Sequence, residues 1–167
     1  HPTTQLLLES LEDVVWSEGD RILDVGTGSG ILCMAALRVG ASSALGIDHD
    51  ATAIACAREY ALINNFHEEL ELLNTPISEL VQKPYAVIVA NLDRRTLLSL
   101  SPYFSRFRSR KTTLYLSGLL SEDESDICAE FRREGWTPQH TRMRDGWIAV
   151  QLGAASPGSS SSGCASR

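Results

Sequence analysis

Apolar residues along this chain fall into two recurring arrangements: short continuous runs, and longer stretches in which they return every three or four positions. The longer stretches predict helices over Gln5–Trp16, Gly30–Val39, Ala51–Asn64 and Thr96–Phe107. The short runs predict strands at Ile22–Val25, Ala44–Ile47, Leu70–Leu73, 85–91 ("YAVIVAN") and 112–118 ("TTLYLSG"). "YAVIVAN" is apolar almost throughout, as a central strand covered on both faces requires. A turn at Thr75–Pro76 leads into a short helix. In "SEDESDICAEFRREG" (121–135), Ser121 is suited to cap a helix, the acidic first turn favours its dipole, and Gly135 ends it. Two last strands, Trp136–Thr141 and Trp147–Leu152, flank "RMRDG", a turn signal for an antiparallel hairpin. Strand–helix alternation followed by a hairpin predicts an α/β, Rossmann-like, doubly wound sheet of seven strands with the last antiparallel. The domain is expected over residues 1–152. The remainder, "GAASPGSSSSGCASR" (153–167), has almost nothing to bury and reads as a flexible tail. There are no internal repeats.

Composition narrows the partners. A net charge of -6 and a hydrophobic content of 43% fit a globular domain and argue against one that neutralises phosphates, so no direct nucleic-acid partner is expected. The basic run "SRFRSRK" (105–111) reads as a solvated loop after a helix. Cys33, Cys56, Cys128 and Cys164 lack metal or C-x-x-C spacing, and His1, His49, His67 and His140 form no ligand set, so thiols and no metal site are expected. No apolar run nears the roughly 20 residues of a membrane span, and no signal segment opens the chain, which predicts a cytoplasmic protein with no membrane partner. A first residue of His1 rather than Met reads as a fragment or a processed product.

The chemistry concentrates at Gly26-Thr27-Gly28-Ser29-Gly30, directly after the first strand. Glycines there permit positive φ and close approach of a ligand to the backbone, and N–H groups at the start of the following helix are free to donate. The spacing departs from G-x-G-x-x-G, because the third glycine comes one residue early and Ile31 stands in its place. Asp24, two residues before Gly26, would repel a pyrophosphate and suits a cationic group instead, such as the ammonium of a methionine moiety. Asp48 ends the second strand, where a carboxylate accepts both hydroxyls of a ribose; its other reading is a helix N-cap, a role Asp50 could fill. Together these residues specify a nucleoside with a positively charged amino-acid tail, and S-adenosylmethionine matches.

"HPTT" (1–4), "LDVGTGSGIL" (23–32), "GIDHD" (46–50), "VAN" (89–91) and "LSGLL" (116–120) occur in the order found in the PrmA family. The chain resembles that family, the methyltransferases of the eleventh large-subunit ribosomal protein, over residues 1–152. The resemblance implies a class I methyltransferase fold and cofactor contacts at Thr4, Gly26, Asp48 and Asn91, to which the loop itself adds Asp24, Thr27, Gly28 and His49. It also implies a protein substrate, a ribosomal protein, captured in that family by a separate N-terminal domain. Where the family reads Asn-Ile-Leu, this chain has Asn91-Leu92-Asp93-Arg94-Arg95. Methyltransferases of lysines on an electron-transfer flavoprotein look similar as well.

Methyl transfer to an amine needs alignment above all, and holding the nucleophile near the methyl group supplies most of the acceleration. Asn91 closes the central strand, where its side-chain carbonyl can accept a hydrogen bond from the attacking nitrogen; it is the candidate catalytic residue. Thr4 could bind the methionine carboxylate, or Thr3 or Thr4 could cap the first helix. "NTPI" (74–77) could meet adenine or simply turn the chain, Trp147 reads as a core residue before a cavity wall, and Asp93 as a solvated loop residue before a lysine attractant. A small-molecule acceptor and a non-catalytic nucleoside-binding module remain open alternatives.

Overall fold

A computed structural model of the chain describes residues 1–156. Five α-helices and seven strands follow one another as α1 (Pro2–Glu12), β1 (Arg21–Val25), α2 (Ile31–Val39), β2 (Ser43–Asp48), α3 (Ala51–Ile63), β3 (Leu70–Asn74), β4 (Val87–Asn91), α4 (Arg94–Phe104), β5 (Thr113–Leu120), α5 (Glu124–Arg133), β6 (Trp136–Arg144) and β7 (Trp147–Ala154). They form one sheet in the order β3-β2-β1-β4-β5-β7-β6. The pairs from β3 to β5 are parallel, and β7 runs antiparallel to both β5 and β6. The doubly wound sheet with its last strand antiparallel is as the sequence predicts. Strand order reverses between β1 and β4, which opens a crevice at their carboxyl ends.

Alternation along the strands divides the core between the two faces. Leu23, Val25, Ile88, Ala90, Leu114 and Leu116 join Leu97 and Phe104 of α4 and Ile127 and Phe131 of α5. The intervening residues Ile22, Val87, Val89 and Tyr115 turn the other way, against Leu6, Leu7 and Leu11 of α1 and Leu32, Cys33 and Ala36 of α2. Ile54, Ala57 and Ala61 of α3 extend this second layer over Leu72. Removing three leucines of α1 from water contributes about 1.5–3 kcal/mol each. Its exposed ion pairs to β6, Asp13 with Arg142 and Glu9 with Arg144, add at most about 1 kcal/mol apiece. Apolar burial therefore holds α1 on the sheet.

Several boundaries differ from the sequence reading, each for a local reason. The first helix starts at Pro2 and ends at Glu12, because His1 serves as its N-cap by accepting the Thr3 N–H, a role assigned in sequence to Thr3 or Thr4. Ser121 lies in a 3₁₀ turn, with α5 beginning at Glu124. The hairpin turn is only Asp145–Gly146, both with positive φ (53° and 80°), so β6 continues through "RMR". Strand β7 runs to Ala154, two residues into the stretch assigned to the tail, because Gly153 and Ala154 pair with Thr137 and Trp136. Of the expected tail, 157–167, which includes Cys164, lies outside the described residues. Among the described residues no helix is long and apolar enough to cross a membrane.

The basic run at 105–111 is not simply a solvated loop. Phe107 is fully buried between the sheet and α4, and Arg106 lies 4.9 Å from the centre of the Tyr103 ring. Arg108 donates to the carbonyls of Glu134 and Gly135 beyond the end of α5 and stacks 5.3 Å above the Trp136 ring. A cation over the last carbonyls of a helix satisfies acceptors that have no partner within it. Replacing Arg108 with alanine should cost about 1–3 kcal/mol, and lysine should recover only part of it, since an ammonium lacks the planar fork. Urea unfolding of the two variants checks both expectations.

Candidate active site

The chain leaves β1 at Val25 and turns at once. The Gly26 and Thr27 N–H groups both donate to the Ile47 carbonyl at 2.9 Å, which pins the loop to the end of β2. Gly26, Gly28 and Gly30 all have positive φ, at 77°, 55° and 80°. A side chain at Gly28 would meet nothing within 4 Å, so its α-carbon faces open space that a ligand can enter. The loop was predicted from three glycines; the positive φ values are the physical reason for them.

Asp24 lies beneath this loop and is 1% exposed. Its Oδ2 accepts the Thr27 hydroxyl at 2.8 Å and lies 3.9 Å from the Cys33 thiol, while Oδ1 is buried without a partner among the described residues. Burial, reinforced by the nearby Asp48 carboxylate and only partly opposed by the Thr27 hydrogen bond, pushes its pKa up to about 7. The same burial raises the Cys33 thiol well above its ordinary value, and the charge of Asp24 adds to it. A buried carboxyl with one bare oxygen is a receptor for a cation or a donor.

Asp48 is held from both sides. Its Oδ2 accepts the Gly28 N–H and its Oδ1 the Asp50 N–H, each at 3.0 Å. Asp50, not Asp48, caps α3 by accepting the Thr52 N–H at 2.8 Å. The Asp48 carboxylate is thus fixed in place while keeping unused lone pairs on each oxygen, the arrangement needed to receive two adjacent hydroxyls. His49 is 90% exposed, with its ring 3.7 Å from Asp48 at the outer rim. Asn74, at the end of β3, donates to the Asp48 backbone carbonyl at 3.0 Å and so ties the "NTPI" turn to the same edge.

Asn91 ends β4 beside Ser117 of β5. Its amide nitrogen donates to the Thr4 hydroxyl at 3.3 Å, a contact spanning 87 residues. Among the described residues the Asn91 side-chain carbonyl receives no hydrogen bond. Thr4 thus meets Asn91, a link that spacing along the chain could not reveal. Asp93 is the N-cap of α4, accepting the Thr96 N–H at 2.9 Å, and this hydrogen bond holds its carboxyl below the usual carboxylate range. It is exposed, as the sequence reading has it, and it also caps the helix that follows. Trp147 is half-buried on the α1 side of the core, with its ring 4.8 Å from the His1 ring.

Sequence reasoning missed Leu92 and Gly118, which hold this end of the sheet together. Leu92 donates to the Ser117 carbonyl at 3.0 Å, and a Cβ on Gly118 would lie 2.4 Å from the Leu92 carbonyl oxygen. Gly118 stands in the quoted "LSGLL", but only its φ of 85° gives the glycine a reason. Among the described residues no group of three or more His, Cys, Asp or Glu side chains could hold a metal ion. A surface groove of about 590 Å³ between α2 and α3 reaches the loop only at Ser29 and Ile31 and is not lined by Asp24, Asp48 or Asn91.

Comparison with known proteins places the chain in a family and a fold. Residues 1–154 match the family described as ribosomal protein L11 methyltransferase (PrmA). A ribosomal protein L11 methyltransferase of Pelobacter propionicus is 36% identical over 156 residues, covering 90% of this chain and 50% of the relative. The chain spans about half the length of the curated relatives it matches. The crystal structure of ribosomal protein L11 methylase from Lactobacillus delbrueckii subsp. bulgaricus superposes with a TM-score of 0.86 at 27% identity, over 93% of this chain and 80% of that one. An RNA methyltransferase from Salinibacter ruber, solved with S-adenosyl-L-homocysteine, shares the fold with a TM-score of 0.74 at 19% identity, over 93% of this chain and 92% of that one. With a carboxylate–glycine–carboxylate edge on this sheet and a match across nearly all the described residues, the chain belongs to the ribosomal protein L11 methyltransferase (PrmA) family.

Proposed function

We propose that this domain binds S-adenosylmethionine at the carboxyl edge of β1, β2 and β4 and transfers its methyl group to amino groups of ribosomal protein L11, either lysine side chains or the N-terminal amine. The observation that carries the reading is the unpartnered, buried Oδ1 of Asp24 beneath a glycine loop whose Gly28 faces open space. A dinucleotide brings a pyrophosphate to such a loop, and a buried carboxyl there opposes it; a ligand with an ammonium group is favoured instead. Asp48 would receive the ribose hydroxyls, with His49 and Thr27 at the rim and the wall. Family membership supports this acceptor, since the relatives are named for that ribosomal protein.

When bound, the donor supplies an electrophilic methyl on a cationic sulfonium, which a neutral amine takes in line as the S–C electron pair returns to sulfur. The protein's own work is alignment. Asn91, with its amide nitrogen engaged by Thr4, presents its carbonyl to an N–H of the acceptor and directs the nitrogen lone pair away from itself. Such positioning supplies several kcal/mol of a barrier without acid or base groups. A lysine nitrogen starts near pKa 10.4 and an α-amine near 8, so either sheds a proton to water before attack, the lysine at greater cost.

Three outcomes follow. Asp48→Ala should weaken donor binding by about 1–3 kcal/mol in calorimetry; unchanged affinity removes Asp48 from the site, and binding of NAD with none of the methyl donor overturns the assignment. Asn91→Ala should lower single-turnover methylation of L11 by about 10²-fold or more while donor affinity changes little, because alignment acts in the transition state. The third outcome concerns pH. Asp24 titrates near pH 7, above its unfolded value of 3.8, so the native state holds a proton that the unfolded chain has lost. Its contribution to stability is therefore full below about pH 4 and is lost as pH rises to 7, on the order of a few kcal/mol. Asp24→Asn should flatten that slope in denaturant unfolding. Donor binding runs the other way: an ammonium favours the ionised carboxylate, so affinity should climb as pH rises to about 7, with proton release, and then level off.

A further inference from the structure

Leu92 lies between the glycine loop and the strand that carries Asn91, and it touches both. A Cβ built on Gly26 would fall 2.6 Å from Leu92 Cδ2 and 3.3 Å from its Cγ, so the isopropyl group rests on the bare α-carbon of the first loop glycine. A Cβ on Gly118 would fall 2.4 Å from the Leu92 carbonyl oxygen and 2.9 Å from its nitrogen. The main chain of the same residue therefore crosses the bare α-carbon of Gly118. These two glycines adopt φ values of 77° and 85°, so each is required by its conformation as well as by the contact. Leu92 also donates to the carbonyl of Ser117, the residue paired with Asn91 across β4 and β5.

The Asn91 main chain is held in β4, paired with Ser117 of β5 and preceded by Ala90 opposite Val25 of β1, so what remains to be fixed is its side chain. Its hydrogen bond to Thr4 is long, at 3.3 Å, and only partly buried, which limits what it contributes. Close packing transmits displacement because an interior at crystal-like density has no slack to absorb it. A shift at Gly26 must move the leucine, and the leucine is covalently joined to Asn91. We infer that Leu92 is a positioning residue that fixes the distance between the glycine loop and the Asn91 amide. The donor is seated on one side of it and the acceptor nitrogen is aimed from the other. The inference rests on the S-adenosylmethionine reading above for its catalytic consequence, but not for the contact itself.

The test uses the whole 167-residue chain, with Leu92→Ala, Leu92→Met, Gly26→Ala and the Gly26→Ala/Leu92→Ala double variant. At saturating S-adenosylmethionine and below the unfolding temperature, Leu92→Ala should slow single-turnover methylation of L11 by about 10²-fold, as a misplacement near 1 Å does, while donor affinity falls by less than about threefold. Leu92→Met, similar in volume, should restore transfer to within about threefold of wild type. A lower unfolding temperature for Leu92→Ala with an undiminished transfer rate would make the residue a packing element only and overturn the inference. The contact has its own ligand-free measure: Gly26→Ala should lower the unfolding temperature less in the Leu92→Ala background than in wild type, because the added methyl then has room. Additive shifts would overturn the wedge. If the wild-type chain binds no donor, the proposed function fails, and the non-additivity alone decides whether Leu92 couples the two segments.

Discussion

A carboxyl group sits under the glycine loop with one oxygen held by Thr27 and the other without a hydrogen-bond partner among the described residues. Burying such a group is costly unless something meets it, and its pKa near 7 records that cost. The surrounding structure is arranged around keeping it there. Thr27 turns inward to meet it and is itself buried, and Gly46 on β2 must be glycine because a Cβ would fall 2.7 Å from the Thr27 hydroxyl. The loop above is tied by two N–H donors to Ile47, so it cannot lift to let water reach Asp24 without breaking both. Among the described residues no cation or donor meets the second oxygen of this carboxyl.

The same edge divides its labour by strand. Strand β1 brings the buried carboxyl and the loop, β2 brings Asp48, β3 ties down the Asp48 backbone through Asn74, and β4 brings Asn91. Parallel strands place all these residues at one end because every strand from β3 to β5 points the same way. Helix α1 then closes the far side by apolar burial against the sheet and reaches Asn91 with Thr4. Its position is independent of hydrogen bonding in the crevice, so Thr4 is delivered to Asn91 by a helix that leucines have already fixed.

Much of this was legible in the sequence. The periods of apolar residues, with cap and turn signals, gave the order and type of every strand and α-helix, and three glycines after an Asp-containing strand marked the tight loop at the end of β1. What stayed hidden has physical reasons. The cap of α1 is a histidine, a residue outside the usual capping set, and so the helix was placed three residues late. The run at 105–111 looked solvated because charge dominates it, yet Phe107 anchors it in the core and Arg108 serves a helix end distant in sequence. Asp93 looked exposed, which it is, but a local hydrogen bond to Thr96 gives it a structural role. Leu92 and Gly118 carry no signal by composition, since a leucine and a glycine near strand ends are common; only the crossing of one over the other shows what each is for.

That crossing also bears on how far the acceptor side can vary. Leu92 and Gly118 constrain the main chain up to Asn91, but beyond Leu92 the chain is free of the crevice: Asp93 caps α4, and Arg94 turns to Asp126 on α5 at 2.6 Å. Of the departures from the family's Asn-Ile-Leu pattern, Leu92 keeps an apolar side chain against Gly26, and the change to a charged residue begins at Asp93, the cap of α4. Asp93 and Arg94 are exposed but already engaged within the fold, one on a helix end and the other on a neighbouring helix. Arg95 has its side chain on the exposed start of α4. The start of α4 can therefore vary in sequence while Asn91 and the glycine loop keep their places, because the contact between them runs through Leu92 and not through the residues that follow it.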